Sequence, residues 1–96
     1  MFESVLQPVK AQLLAVGVQQ LGVFGSVARG TARGDSDVDV LIRFRSDART
    51  YDNLVVVGDA LESAFGRSVD LVTTDALSPY LAPHILSEIK YVDLRS

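Results

Sequence analysis

The chain predicts an α+β fold of α/β-like order: a small β-sheet with helices packed mainly on one face. Three observations carry this. Apolar runs at Leu21 to Phe24, Val38 to Phe44 and Val69 to Thr73 have the length and bounding turn residues of strands. Stretches with apolar residues at helical spacing lie around and between them, giving the order α, β, short α, β, α, β, α. The length of 96 residues, with 48% hydrophobic and 22% charged residues, predicts one domain, residues 1–96, with a core of its own.

Phe2, Val5, Leu6, Val9, Leu13 and Val16 recur at roughly helical spacing, and Gly17 stops the pattern. Pro8 lacks an amide donor, so the regular helix is expected to begin near it, after a looser turn. Leu21 to Phe24 reads as a strand closed by Gly25, and Ser26 to Thr31 as a short helix. Gly30 and Gly34 make the next segment a loop. Val38 to Phe44 is the clearest strand, apolar enough to be covered on both faces. Leu54, Val57, Leu61, Ala64 and Phe65 line one side of a helix over Thr50 to Phe65, which Gly66 terminates. Val69 to Thr73 is a third strand, with Asp70 near its start. Pro83 opens a last helix carrying Ile85, Leu86 and Ile89, and Tyr91-Val92 adds a short terminal strand.

The bulk numbers exclude several classes. No apolar run approaches the ~18 residues of a membrane span. The segment MFESVLQPVK lacks the pattern of a signal peptide. There are no cysteines, hence no disulfides or thiolate metal sites, which fits a reducing, cytoplasmic location. The net charge of −3 argues against direct nucleic-acid binding by bulk electrostatics. Arg29, Arg33, Arg43, Arg45 and Arg49 nonetheless gather in one stretch, either as solvated loop charges or as partners of a polyanion.

The chemistry lies between Gly25 and Phe44, GSVARGTARGDSDVDVLIRF. Side chains two apart on a strand share a face, so Asp37 and Asp39 point the same way, with Cα atoms roughly 6.6–7 Å apart. Two like charges on a buried strand need compensation, and a divalent metal supplies it. Carboxylates suit hard cations such as Mg²⁺, or Mn²⁺, and this spacing lets them converge on a pair of ions about 3.5–4 Å apart. Asp70, if its strand is a neighbour, completes the second metal and helps deprotonate an acceptor hydroxyl. Without metal the three repel, and at least one is expected to have a raised pKa. Gly25 lets the backbone approach a phosphate, and the Ser26 hydroxyl adds a donor. Together these parts would hold a triphosphate for attack at one phosphorus.

The pattern GS-x10-DxD followed by VDLV resembles the nucleotidyltransferase superfamily that includes DNA polymerase beta and kanamycin nucleotidyltransferase. The short length resembles its minimal nucleotidyltransferase (MNT) branch, the antitoxin half of HEPN/MNT toxin–antitoxin pairs. The resemblance implies a mixed sheet and assigns triphosphate binding to Gly25 and Ser26 and catalysis to Asp37, Asp39 and Asp70. Arg29 and Gly30 match the ARG that often follows, which implies a nucleotide-binding role. Val27 stands where many members carry arginine, and no nucleotide contact is assigned to it.

Members of this kind transfer AMP from ATP to a tyrosine of the partner HEPN ribonuclease and release pyrophosphate. The resemblance therefore implies a protein adenylyltransferase using ATP and two Mg²⁺ ions. Two alternatives stand beside it: an antitoxin that neutralises its toxin by binding alone, and a small-molecule nucleotidyltransferase. Tyr51, Tyr80 and Tyr91 are expected to be packed or partly exposed, and His84 to be a surface residue. Leu77, Leu81, Ile85 and Ile89 either face a partner or close the core.

Overall fold

The computed structural model describes residues 2–95. Its sheet has four strands in the order β3-β2-β1-β4. These are β1 (Val18–Phe24), β2 (Val38–Phe44), β3 (Val69–Thr73) and β4 (Lys90–Val92). β1 runs antiparallel to both β2 and β4, whereas β2 and β3 are parallel. The sheet is thus mixed, as the family resemblance implied. The parallel pair is joined by the one long helix, because such a crossover needs a connection of a dozen or more residues.

The first helical segment differs from expectation. Helix α1 (Glu3–Leu6) already forms before Pro8, a 3₁₀ turn follows at Gln7–Val9, and α2 spans Lys10–Ala15. Pro8 interrupts the helix rather than starting it, since its ring fits the first turn of a helical segment but not an interior. β1 is three residues longer than the apolar run. A register shift between Val18 and Gln20 lets Val18, Leu21 and Val23 all enter the same core despite their uneven spacing. The polar pair Gln19-Gln20 in the middle conceals this from the apolar pattern.

Helix α3 (Gly25–Arg29) is shorter than expected and ends at Gly30, in the left-handed region with φ 77°. Helix α4 (Tyr51–Phe65) begins after Thr50, whose Oγ1 accepts a hydrogen bond from the Asn53 amide at 3.2 Å. Gly66 ends α4 with φ 70°. Helix α5 (Ala82–Glu88) has Pro83 in its first turn and stops before Ile89, which is extended.

Alternation along β2 divides the sheet into two unequal faces. Val38, Val40, Ile42 and Phe44 join the main core with Leu6, Leu13, Val57, Ala60 and Leu61 from α1, α2 and α4. On the other face Phe24, Leu41 and Ile85 form a small cluster, with Val72, Leu77 and Ile89 packed against it. Helices therefore do lie mainly on one face, and α5 is a thin cover on the second. Asp39 and Asp70 belong by alternation to that second face.

The C-terminal apolar residues divide in the same way: Leu77, Ile85 and Ile89 close the small cluster, while Leu81 and Leu86 are exposed. Tyr51 and Tyr80 are exposed at 78% and 92%, so neither packs, and Tyr91 is half-exposed. Tyr51 is the first residue of α4, Tyr80 lies two residues before α5, and Tyr91 lies in β4. His84 is on the surface, as expected.

Candidate active site

Three strand ends meet at one corner of the thinly covered face. In the sheet register Phe24 of β1 lies beside Asp39 of β2, and Asp39 lies beside Asp70 of β3. The parallel pairing thus sets two carboxylates side by side on adjacent strands. Asp37 lies two residues upstream of Asp39 and one residue before β2. Its segment is fixed by the Val38 amide, which donates to the Ser68 carbonyl at 2.9 Å.

The three carboxylates are not equally buried. Asp39 is half-buried, whereas Asp37 and Asp70 are exposed. The expectation of two charges on a buried strand therefore needs correction: Asp37 is outside the strand and in water, and the desolvation cost falls on Asp39. Partial burial raises the Asp39 pKa above the ordinary aspartate value, and the negative charges of Asp70, Asp37 and Glu88 add to it. Arg29 opposes them. At least one raised carboxylate was expected, and Asp39 is that one.

Gly25 closes the corner on the side of β1. Its φ of +73° lies in the left-handed region, and a Cβ there would overlap the Oδ2 of Asp39. Only glycine allows this close approach of turn and carboxylate. Ser26 follows it in α3, partly exposed, and its carbonyl accepts the Thr31 amide at 2.9 Å. Arg29 and Gly30 stand exposed at the other end of the same short helix.

Two further residues at this corner escape sequence reasoning. Glu88, the last residue of α5, accepts the Gly25 amide at 3.2 Å and pairs with Arg29 at 2.9 Å. The hydrogen bond from Arg29, reinforced by the Gly25 amide, holds its carboxyl below the usual glutamate value despite some desolvation. Arg67, ahead of β3, donates to the carbonyls of Arg33 (3.2 Å) and Ser36 (3.4 Å). It ties the loop that presents Asp37 to the strand that presents Asp70. Neither contact has a local signal, because the partners lie 63 and 31 to 34 positions apart.

The arginine-rich stretch does not act as one surface. Arg45 pairs with Asp47 at 2.7 Å and Arg49 with Asp75 at 2.8 Å, beyond the far end of β2 from Asp37. Arg43 is exposed on β2, four positions along from Asp39. Only Arg29 adjoins the glycine turn.

The donor set suits a hard divalent cation, since it offers carboxylate oxygens on one face and no nitrogen or sulfur ligand. Among the described residues no three acidic or imidazole side chains are gathered into a ready-made metal cluster. The negative charges of Asp70 and Asp37 bear on Asp39, and positive charge between the carboxylates would relieve that repulsion. Asp37, Asp39 and Asp70 thus offer the donor type that a cation such as Mg²⁺ takes, without a preformed three-ligand site among the described residues.

Comparison with known proteins follows the same lines. Residues 4–92 match the nucleotidyltransferase domain family. The protein adenylyltransferase MntA of Thermococcus cleftensis is 38% identical over 91 residues, 94% of this chain and 91% of that protein. A solved structure described as a candidate minimal nucleotidyltransferase superposes with a TM-score of 0.73 and 36% identity, covering 94% of this chain and 95% of that one. A toxin–antitoxin crystal structure with AMP-PNP superposes with a TM-score of 0.70 at 24% identity, covering 95% and 72%, and shows likeness of fold.

Proposed function

Because the chain belongs to the nucleotidyltransferase domain family, we propose that it is an antitoxin-type protein adenylyltransferase, moving AMP from ATP to a tyrosine hydroxyl of a partner HEPN ribonuclease and releasing pyrophosphate. The observation that supports this most is the Asp39–Asp70 pairing across parallel strands beside Gly25. Such an arrangement would let acceptor activation and triphosphate binding take place side by side. The match to a protein adenylyltransferase over 94% of the chain favours a protein acceptor. The neighbouring toxin–antitoxin fold supports a toxin as that protein.

In this reading the Gly25 amide and the Ser26 hydroxyl hold phosphate oxygens, and Arg29 and Gly30 flank them. Asp37, Asp39 and Asp70 would hold Mg²⁺, with two ions by the family resemblance. Bound there, Mg²⁺ supplies positive charge that neutralises the triphosphate and its leaving group. Asp70, the more exposed of the paired carboxylates, takes the proton from the acceptor hydroxyl. The tyrosine oxygen forms a bond to the α-phosphorus. The bond from that phosphorus to the oxygen bridging the β-phosphate breaks, and pyrophosphate departs with the electron pair. Little covalent work falls to the protein, because such transfers depend on positioning and charge neutralisation.

The test is intact-mass measurement of a HEPN ribonuclease that forms a complex with this chain, after incubation with the chain, ATP and Mg²⁺. The expected result is a gain of one or more AMP units. An unchanged mass, with both proteins folded and in complex, overturns the reading.

A further inference from the structure

The same corner contains an anion of its own. α5 returns across the thin face and places Glu88 over the glycine turn. One carboxylate oxygen accepts the Gly25 amide at 3.2 Å. Arg29 Nη1 donates to both oxygens, at 2.9 and 3.2 Å. The Glu88 side chain is only 18% exposed, against 49% for Arg29, so the carboxylate is seated rather than waving in solvent. Ile85 and Ile89 pack into the small cluster on either side of it in sequence and hold that end of α5 down.

The position of Glu88 matters because of the donors that it uses. The Gly25 amide is a group that the function proposed above gives to the triphosphate, and the Arg29 guanidinium is one that it sets beside it. An N–H aimed at one carboxylate oxygen is not aimed at a phosphate. A charge-assisted pair is also stronger than a neutral hydrogen bond, so giving it up has a cost. The negative charge of Glu88 also reaches Asp39, where it adds to the repulsion from Asp37 and Asp70. Glu88 therefore engages the Gly25 amide and the Arg29 guanidinium while raising the negative potential that a polyanion must enter.

We propose that Glu88 sets the affinity of this site for a nucleoside triphosphate, as an internal anion that the phosphates must displace from Gly25 and Arg29. The inference rests on the reading that the Gly25-Ser26 turn takes the triphosphate. Binding of nucleotide and seating of the α5 terminus then oppose each other. Each weakens the other by the same factor, as linked equilibria require.

The experiment is equilibrium binding of AMP-PNP with Mg²⁺ to the full chain and to Glu88→Gln and Glu88→Ala. Glu88→Gln keeps the shape and removes the charge, and ligand-free melting curves confirm that each variant folds. Glu88→Gln is expected to bind about tenfold more tightly, the scale of one charged hydrogen bond. Glu88→Ala is expected to bind at least as tightly, and the Gly25 amide resonance should move in both variants before any ligand is added. Unchanged or weaker binding in folded variants overturns the role of Glu88 and leaves the triphosphate site standing. Absence of binding to all three proteins overturns both.

Discussion

The two faces of the sheet do opposite work. Under α1, α2 and α4, nine large side chains are essentially inaccessible to water, among them Leu6, Leu13, Ile42 and Leu61. Under α5 the cluster is built on three buried residues, Phe24, Leu41 and Ile85. The thick face buries most of the apolar surface that drives folding. The thin face gives its strand ends to Asp39 and Asp70, which contribute repulsion. A chain of 96 residues has room for one substantial core. The chemistry accordingly sits where apolar packing stops, while the strands that carry it are anchored from behind.

The sharpest way to break this contrast is Asp39→Asn. AMP transfer to the partner should fall by about 10²-fold or more, because a lost metal ligand weakens charge stabilisation worth several kcal/mol. The metal-free melting temperature should hold or rise, because the substitution removes a partly desolvated charge from beside Asp70. A variant that keeps activity, or one that unfolds, would put Asp39 on the wrong side of the comparison.

Packing is tested by Leu61→Ala against Ile85→Ala. Leu61 is wholly buried in the main core, and its truncation should cost about 2–5 kcal/mol in denaturant unfolding. Ile85 retains 8% exposure in the small cluster. Its truncation should cost less than Leu61→Ala, because the site is shallower and can collapse. Equal losses would mean that the thin face carries as much of the fold as the thick one.

The smallest effect concerns pH in the metal-free protein. The raised pKa of Asp39 means that the folded state binds its proton more tightly than the unfolded chain does. Stability from this residue is therefore greatest below the ordinary aspartate pKa and declines as pH rises through the folded value. Glu88 has the opposite sign: its lowered pKa makes its contribution present above the ordinary glutamate value and lost as pH falls through the folded one. The melting-temperature gap between Asp39→Asn and wild type should close on acidification, and the gap between wild type and Glu88→Gln should close as well. A gap for Asp39→Asn that widens toward acid would contradict the burial and repulsion described for that carboxylate.

Much of this corner is legible in the amino-acid sequence. β2 and β3 match their expected bounds to the residue, because Val38 to Phe44 and Val69 to Thr73 are apolar runs bounded by polar turns. The Gly25 turn follows from backbone geometry over neighbouring positions, and Asp39 faces away from Val38 and Val40 by strand alternation. β1 reads too short in the sequence because a register shift and two glutamines break its alternation. The exposure of Asp37 is not legible there, because strand periodicity does not reveal where pairing begins.

What the sequence determined by itself was therefore local: which segments become strands and helices, where glycine must bend the chain, and that Asp39 sits on the strand face opposite Val38 and Val40. Tertiary structure alone decided that Asp70 pairs with Asp39 rather than with any other position, that Glu88 returns to Gly25, and that Arg67 ties down the loop before Asp37. The physical reason is distance along the chain. Periodicity and turn chemistry act over a few residues, whereas these contacts form only once a buried core has fixed strands and helices far apart in sequence against one another.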